Sequence, residues 1–348
     1  MFNIGIIGAG AISESHVNAY LNNPQCRVVA IADLNLSLAE EMAKKHEIPR
    51  FYSDYRELLA DTDIDAVSIA TPTFTHTPIV LDSLRAGKHV LCEKPPALSA
   101  DEVRECFAAA KEEKRLLMYG LVCRFRAEIS YLKEYIDSGK MGRVITAEAE
   151  RTTRLSRAYG WFNSHALGGG VIRDEAIHEL DQLLYLMSYP EPEVVFAFTD
   201  SSCGGLIDEI DGVSGYKSKD ETKHERDVED VVKMLITFKN GSSLTLKASS
   251  ILMTLNPKYY LELSASRGGA RLEPFGEKKL SLLEIDGASL SEREVMLERT
   301  SMFAAEINHF VDALSGADCI CKPNEIIRLM EIIDAIYKSA ETKKPIFM

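Results

Sequence analysis

The sequence lacks the features that mark several classes of protein. It has no long apolar run, and one of its longest, IDAVSIA at 64–70, is far too short to span a bilayer. It lacks an excess of positive charge, because 40 Lys and Arg face 53 Asp and Glu, for a formal net charge of −13. Nucleic acid and anionic membranes are therefore not expected as partners, since both require a basic footprint. No basic segment precedes the first apolar stretch, so a secretory signal is not expected.

The cysteines also lack a metal or disulfide pattern. They number seven, an odd count, and have no C-x-x-C spacing, which is typical of reduced thiols in a cytoplasmic protein. Cys319 and Cys321 lie two positions apart, but a metal site needs more ligands than this pair offers. We expect a cytoplasmic protein that binds no metal.

A change in pattern near residue 122 divides the 348 residues, a length that already favours two domains. Residues 1–122 alternate continuous apolar runs with amphipathic stretches. This alternation is typical of a parallel sheet covered on both faces, and right-handed crossovers make such a domain doubly wound. The predicted strands are 2–8, 27–33, 66–70, 89–93 and 116–120, and the predicted helices are 12–22, 36–46, 53–60, 76–86 and 99–114.

Residues 123–348 predict an α+β domain with an open, mostly antiparallel sheet. Polar and apolar residues alternate along its strands, the pattern of a sheet with one solvated face. Asn240-Gly241 predicts a hairpin turn, and the polar stretch 203–230 predicts a solvated excursion. The predicted strands are 143–155, 193–200, 231–238, 243–249, 259–266 and 279–285, and the predicted helices are 128–137, 302–314 and 324–342.

A glycine turn, GAGAIS, follows the first strand and opens the first helix. Gly8 and Gly10 permit a tight turn and let the backbone approach a pyrophosphate. The first helical residues, Ala11 and Ile12, then bind the phosphates at the positive end of the helix dipole. An ordinary glycine turn is the alternative.

Asp33 ends the second strand, 20 residues after Ser13. An acid at this place accepts hydrogen bonds from the adenosine ribose hydroxyls of a dinucleotide. Its charge repels a 2′-phosphate, so NAD is favoured over NADP. A strand-end residue that only makes a turn is the alternative.

Glu93 and Lys94 follow a buried strand at its carboxyl end, where ligands bind in open parallel sheets. The proline after Lys94 keeps the lysine backbone extended. A lysine fixed beside a cofactor can donate a hydrogen bond to a reacting hydroxyl and stabilise a developing alkoxide. A surface lysine on a loop is the alternative.

The segment GGGVIRDEAIHELD, 168–181, combines three glycines with the start of a helix. Asp174 and His178 are four residues apart and are expected on one helix face. Hydride transfer from an alcohol requires a base for the hydroxyl proton, and histidine titrates near neutral pH. Asp174 would orient the histidine or stabilise its charge. A first-turn aspartate that only complements the helix dipole, and a structural histidine, are the alternatives.

Together these motifs resemble those of the glucose–fructose oxidoreductase / inositol dehydrogenase (Gfo/Idh/MocA) family. They are GAGAIS (8–13), ATPTFTH (70–76), EKPP (93–96), CRFR (123–126), GGGVIRDEAIHELD (168–181) and FAAEINHFVDAL (303–314). The resemblance covers nearly the whole chain. It implies a Rossmann dinucleotide domain, 1–122, and a domain for substrate binding and oligomerisation, 123–348. It also implies that the terminal helix 324–342 packs on the first domain and that the outer sheet face builds homodimers or homotetramers.

The resemblance also implies a set of site residues. The catalytic residues are Lys94, Asp174 and His178. Residues near the nicotinamide are Thr71, Pro72, His76 and Glu93. The substrate candidates are Arg124, favoured over Arg126, with Tyr159, Trp161, Asn163 and His165 on the loop before the glycines. Two positions depart from the usual pattern: Ser13 stands where Gly or Ala is usual, and Thr73 where asparagine is common.

We therefore expect an NAD(P)-dependent oxidoreductase that transfers hydride between the cofactor and a secondary hydroxyl of a sugar or cyclitol. The similarity of DEAIHELD to inositol dehydrogenases within the family favours this substrate class. Two alternatives stay open: a non-catalytic NAD-dependent sugar sensor, and a redox-neutral NAD-dependent glycosidase of the same family. Such glycosidases carry a different arrangement of Tyr and His after the glycines, and a sensor need not keep the lysine and histidine.

Overall fold

Contacts in the computed structural model divide the chain into two compact units. Unit 1 comprises Met1–Phe125 and Thr300–Met330, and unit 2 comprises Arg126–Arg299 and Glu331–Met348. The structure describes residues 1–153, 157–158, 160–204, 215–216, 226–276 and 279–348. Within these ranges, no helix has both the length and the apolar character that a membrane crossing requires.

Six strands form the sheet of unit 1: β1 Phe2–Ile7, β2 Cys26–Ala32, β3 Arg50–Tyr52, β4 Ala66–Ile69, β5 His89–Glu93 and β6 Leu117–Gly120. Their order is β3-β2-β1-β4-β5-β6, and every neighbouring pair is parallel. The strand order reverses between β1 and β4. In doubly wound sheets this switch point is where a crevice opens at the carboxyl ends of the strands.

Helices connect these strands: α1 Ala11–Leu21, α2 Leu36–His46, α3 Tyr55–Leu59, α4 His76–Arg85 and α5 Ala100–Glu112. All four residues of β4 and of β6 are buried, as continuous apolar strands between helical layers should be. Ser99 caps α5 by accepting the Glu102 N–H at 3.3 Å, and acidic residues in the first turn complement the helix dipole.

Unit 2 contains a nine-stranded sheet in the order β16-β15-β14-β13-β7-β12-β11-β9-β17, and a separate parallel pair, β8 and β10. The strands are β7 Val144–Thr152, β8 Arg157–Ala158, β9 Pro192–Asp200, β10 Gly215–Tyr216, β11 Val231–Phe238, β12 Ser243–Ser249, β13 Tyr259–Ala265, β14 Gly268–Leu272, β15 Leu280–Asp286, β16 Ser289–Glu294 and β17 Ile346–Phe347. In the large sheet only β7 and β12 pair in parallel. The helices of this part are α6 Ala127–Asp137 and α7 Ile177–Leu186.

These sheets confirm the predicted fold class, a doubly wound parallel sheet and an open, mostly antiparallel one. The hairpin is confirmed as well, because β11 and β12 pair antiparallel around Gly241, whose φ is 79°. The predicted excursion at 203–230 falls largely outside the described residues.

The two last helices are α8 Met302–Leu314 and α9 Pro323–Thr342. All of α8 and the first part of α9 belong to unit 1, although they follow the whole sheet of unit 2 in sequence except β17. The Phe303 ring of α8 lies 5.8 Å from the His16 ring of α1. Unit 1 is therefore assembled from two separate stretches of chain.

Candidate active site

The glycine turn lies at the carboxyl end of β1, and the absence of a side chain matters differently at its two glycines. Gly8 has a φ of 102°, and a Cβ there would lie 2.5 Å from the Ala70 carbonyl oxygen, so the fold itself requires glycine. Gly10 has an ordinary φ of −80°, and a Cβ there would meet no described atom within 4 Å. Its small size therefore leaves open space above the N-terminus of α1, which begins at Ala11.

Asp33 follows β2 and is bonded to the glycine turn. Its Oδ2 accepts the Ala9 N–H at 2.7 Å, and its Oδ1 accepts the Asn35 N–H at 2.8 Å. The carboxylate is half-buried. The acid predicted at the end of the second strand is thus held beside the turn predicted to bind the pyrophosphate.

The ATPTFTH segment follows β4, and His76 fixes it from within. The His76 ring is completely buried, with Nδ1 2.8 Å from the Pro95 carbonyl and Nε2 2.8 Å from the Thr71 carbonyl. Burial lowers the pKa of His76. The imidazole therefore joins the loop after β4 to the loop after β5, and any role near a cofactor is through Thr71 and Pro72, which are half-buried.

Glu93 ends β5, and Lys94 follows it. The Glu93 carboxylate accepts the Lys94 N–H at 3.0 Å through Oε2, and its Oε1 lies 2.8 Å from Nε2 of His16. Lys94 is half-buried, and its peptide bond to Pro95 is cis. Glu93 thus holds the backbone of the lysine from the interior of the unit.

Four of the predicted elements meet at the carboxyl edge of one parallel sheet, after β1, β2, β4 and β5. Open backbone at a helix N-terminus suits a pyrophosphate, and a carboxylate one strand away suits a ribose. The residues present therefore fit a dinucleotide, whose phosphates Gly10, Ala11 and Ile12 would hold and whose adenosine ribose Asp33 would bind.

In unit 2, Asp174 and His178 lie on either side of a junction between helix types. Asp174 is in a π-helical turn, Ile172–Ala176, and His178 is in the α-helix that continues it. Both are half-buried, whereas Arg173 and Ala176 of the same turn are buried. Such π turns within helices occur frequently at functional sites.

Glu229 caps this turn from the neighbouring chain segment. Its Oε1 accepts the Ile172 N–H at 2.8 Å, and its backbone carbonyl accepts the Val171 N–H at 3.3 Å. Gly170, with a φ of 101°, admits the carboxylate, because a Cβ there would lie 2.5 Å from both of its oxygens. Burial raises the pKa of Glu229.

Arg151 of β7 holds the same helix along a second line. Its guanidinium pairs with Glu175 and, at 3.1 Å, with Glu179, and it lies 5.1 Å from the centre of the Tyr259 ring. Glu175 and Glu179 each come one residue after Asp174 and His178. The ion pairs therefore fix the rotation of the helix that presents the predicted catalytic pair.

Arg124, the arginine favoured as a substrate contact, is engaged by other residues of unit 1. Its side chain is fully buried in unit 1, where it bonds the Glu325 carboxylate at 2.7 Å and the Ile320 carbonyl at 3.1 Å. Arg126 lies near Tyr259 in unit 2, with its guanidinium 6.0 Å from the ring centre. We therefore assign Arg124 to the packing of unit 1.

The other substrate candidates lie on the loop before the glycines. Trp161 stacks on Phe162 at 3.9 Å, and the Asn163 side-chain oxygen accepts from Arg226 at 2.8 Å. The residue His165 is exposed as a whole. Its pKa is nevertheless lowered, first by partial burial of the imidazole and then by the charge of Arg173. Tyr159 lies outside the described residues.

The sequence did not predict three residues that support the candidate site residues through buried contacts: Glu229, Arg151 and His16. Glu175 and Glu179, four residues apart on one helix, indicate a partner of opposite charge. That partner, Arg151, lies on a strand, and no sequence pattern relates its position to theirs. Glu229 is the last residue but one of the polar stretch 203–230, and no local pattern marks it.

A parallel sheet in this order, with a glycine turn after β1 and an acid after β2, defines a Rossmann-type dinucleotide-binding protein. Residues 2–121 match the family model described as the oxidoreductase family, NAD-binding Rossmann fold (GFO_IDH_MocA), and residues 129–271 match the GFO/IDH/MocA C-terminal domain. The chain belongs to the Gfo/Idh/MocA oxidoreductase family, as its motifs predicted.

Known relatives span most of the chain. Inositol 2-dehydrogenase of Rhizobium meliloti is 29% identical over 98% of each chain. Trans-1,2-dihydrobenzene-1,2-diol dehydrogenase of Bos taurus is 32% identical over 77% of this chain and 73% of its own. The structure of levoglucosan dehydrogenase in complex with NADH and levoglucosan has a TM-score of 0.85 and 23% identity over 99% of each chain, a likeness that shows the fold alone.

Proposed function

We propose that this protein is an NAD-dependent dehydrogenase acting on a secondary hydroxyl of a sugar or cyclitol. The observation that carries the proposal is the arrangement at the carboxyl edge of the unit 1 sheet. Gly10 leaves open space there, Asp33 is fixed beside the turn, and Lys94 is bonded through its N–H to Glu93. The first two fit a dinucleotide, and a lysine at the same edge fits a reacting alcohol.

The relatives support the substrate class. Inositol 2-dehydrogenase and trans-1,2-dihydrobenzene-1,2-diol dehydrogenase are named for ring compounds that carry neighbouring hydroxyls. A ring secondary alcohol is common to both. We propose the same reacting group here.

Each chemical requirement of this reaction has a candidate residue. Bound NAD⁺ supplies the hydride acceptor. Lys94 donates a hydrogen bond to the substrate oxygen and stabilises its developing negative charge. His178 takes the hydroxyl proton, and Asp174 orients the imidazole or holds a neighbouring hydroxyl. In the reductive direction, His178 returns the proton to the same oxygen.

The preference for NAD is proposed from Asp33. Two backbone N–H groups, of Ala9 and Asn35, already bond its oxygens, and each carboxylate oxygen has a further lone pair for a ribose hydroxyl. A 2′-phosphate at the same place would bring two negative charges together. For the substrate, we propose Trp161 and His165 as contacts, since Asn163 is engaged by Arg226.

We further propose a homo-oligomer built through the outer face of the unit 2 sheet. Phe196, Phe198 and Leu235 are exposed on adjacent strands, and Leu235 lies directly across from Phe196 in the ladder. Exposed apolar side chains in one patch favour a partner surface, and a second copy of this chain is the occupant that the family resemblance implies. The cytoplasm is the proposed location, supported by the cysteines, none of which forms a disulfide.

A panel of cyclitols and sugars tests the proposed activity. Purified protein is incubated with NAD⁺ and each compound, and the absorbance of reduced cofactor is followed, with Lys94→Met and His178→Gln as matched controls. The expected result is reduction with at least one polyol and none in the controls. NAD⁺ binding without turnover across the panel would support a sensor, and cleavage of a glycoside without reduced cofactor would support a glycosidase.

A further inference from the structure

The interior of unit 1 holds a cluster of ionisable side chains to which the proposed chemistry assigns no step. His16 comes from α1, Glu93 from the end of β5 and Glu306 from α8. One nitrogen or oxygen of each lies within 4.8 Å of the others. Their exposed fractions are 0, 7 and 0%, so water screens none of their charges. Such a cluster is stable only if its charges and protons are arranged to compensate.

The His16 ring links two neighbours and has a clear proton arrangement. Its Nε2 lies 2.8 Å from Oε1 of Glu93, and its Nδ1 lies 2.7 Å from Oγ of Ser68. An ionised carboxylate can only accept, so the proton belongs on Nε2, and Nδ1 accepts from the serine hydroxyl. Burial alone would raise the pKa of Glu93, but the hydrogen bond from His16, together with the charge and backbone N–H of Lys94, holds it below its ordinary range.

Glu306 is the member without such compensation. Neither of its carboxylate oxygens has a hydrogen-bond partner among the described residues, and its side chain is fully buried. Among the described residues, the titratable groups that the structure places beside it are Tyr20 and His16 of α1 and Glu93 of β5. None of these three is a lysine or arginine that would balance an ionised carboxylate. Burial first, and the Glu93 charge second, raise the pKa of Glu306 well above its ordinary value.

We propose that Glu306 is a neutral, protonated acid at physiological pH, and that it acts as a positioning residue for Glu93 and through it for Lys94. With the proton on Glu306, the cluster carries one negative charge, on Glu93, which the His16 Nε2–H and the Lys94 N–H stabilise together. Loss of that proton would place two carboxylates within 4.8 Å in a dry interior, and repulsion would displace Glu93 from these bonds. The consequence for Lys94 rests on the proposed function, whereas the buried proton does not.

The proton makes a specific prediction about stability and pH. A carboxyl whose folded pKa is raised contributes its full stability below the unfolded value and loses it as pH rises through the folded value. The free energy of unfolding of the wild-type protein should therefore fall as pH rises. In Glu306→Gln, whose side chain is neutral at every pH, the part of this fall that comes from residue 306 should be absent. Between the unfolded and the folded pKa the ratio of unfolding constants, wild type over variant, grows by up to about tenfold per pH unit, and above the folded pKa it stays constant.

The test compares wild type, Glu306→Gln and Asp312→Asn, the same carboxylate-to-amide change at an exposed position of α8. Urea unfolding is measured from about pH 6 to about pH 9, and infrared spectra of protein labelled with ¹³C at glutamate carboxyls are recorded at neutral pH. We expect a band of a protonated carboxyl in wild type and Asp312→Asn that is lost in Glu306→Gln. Where activity is found, we expect the alkaline limb of kcat to move to higher pH in Glu306→Gln alone.

Two results would overturn the proposal. One is parallel loss of stability in wild type and Glu306→Gln together with no protonated-carboxyl band in the wild-type protein. The other is a stoichiometric metal ion in wild type that disappears from Glu306→Gln, since a cation would then replace the proton. Absence of any dehydrogenase activity would remove the proposed function but would leave the unfolding and infrared results to decide on Glu306.

Discussion

The carboxylate of Asp33 accepts the backbone N–H of Ala9 at 2.7 Å, so the acid after β2 and the turn after β1 form one unit of structure. An amide oxygen can also accept this bond, so Asp33→Asn should keep it and lose only the bond from the Asn35 N–H, whereas Asp33→Ala should lose both. We expect Asp33→Asn to lower the preference of kcat/KM for NAD⁺ over NADP⁺ about tenfold or more, since one charge repulsion of about 1.4 kcal/mol is removed. Asp33→Ala should in addition lose about 1 kcal/mol of stability.

Steady-state kinetics with both cofactors and thermal unfolding of both variants measure these effects. Equal cofactor preference in wild type and Asp33→Asn would show that the charge of Asp33 has no part in the selection.

Gly8 and Gly10 provide a matched pair that separates fold from cofactor binding. Gly8→Ala should destabilise unit 1 by about 2 kcal/mol or more, because its φ of 102° and the contact at 2.5 Å with the Ala70 oxygen both exclude a side chain. Gly10→Ala should change stability by less than about 1 kcal/mol, because its φ is ordinary and its surroundings are open.

NAD⁺ affinity should show the opposite order for the folded proteins. Gly10→Ala places a methyl group where the pyrophosphate is proposed to approach, so calorimetric titration should show affinity at least about tenfold weaker. Wild-type affinity in Gly10→Ala would mean that the dinucleotide does not approach this turn.

The proposed catalytic residues should affect turnover more than cofactor binding. His178→Ala should lower kcat by about a hundredfold or more if the imidazole is the base. Lys94→Met should abolish turnover with NAD⁺ affinity largely kept. Tryptophan or NADH fluorescence titration gives the affinity, and the pH profile of kcat gives the base. Unchanged turnover in His178→Ala would remove that residue from the mechanism.

The sequence was sufficient for the fold class and for the strand-end residues because both depend on short-range patterns. Unbroken apolar runs predicted β1, β2, β4, β5 and β6, and the residues after them needed only the rule that parallel strands end at one edge. The short edge strand β3 was missed, since its central residue Phe51 is partly exposed. Two other strands were missed. β14 begins with two glycines, and every residue of β16 is exposed, so neither has an apolar pattern, and both are defined by hydrogen bonds to neighbouring strands.

The supports of the site are long-range and could not be predicted in this way. Glu306 reaches the β5 end from a helix more than 200 positions later in the chain, and the FAAEINHFVDAL motif gave no reason to expect a buried acid there. Arg124 is the reverse case: its motif suggested a ligand contact, and the structure shows its guanidinium paired with Glu325 in the interior of unit 1. Both depend on contacts between elements that no local pattern encodes.

The outer sheet face should control the oligomeric state. Phe198 is 58% exposed and is the most exposed member of the patch. Phe198→Asp should shift the protein toward monomer in sedimentation or light scattering, because burying a charge at an interface without a partner costs several kcal/mol. Leu255→Asp, at a residue 91% exposed between β12 and β13, is the control and should keep the wild-type mass. If Phe198→Asp and wild type have the same mass, the patch is not the interface.

The bond between Glu229 and the Ile172 N–H should position the helix that carries Asp174 and His178. Glu229→Gln keeps an acceptor oxygen for the 2.8 Å bond, so we expect kcat within a few-fold of wild type. Glu229→Ala leaves that buried N–H unsatisfied and opens a cavity, which should cost about 2 to 4 kcal/mol of stability and lower kcat more than it changes KM. Because burial raises the pKa of Glu229, its contribution to stability is lost as pH rises above the ordinary carboxyl pKa and through the raised one, so Glu229→Gln should also show a weaker decline of stability over that range. Chemical unfolding across this range and steady-state kinetics of both variants measure these effects, and equal kcat in Glu229→Gln and Glu229→Ala would show that the cap does not position the helix.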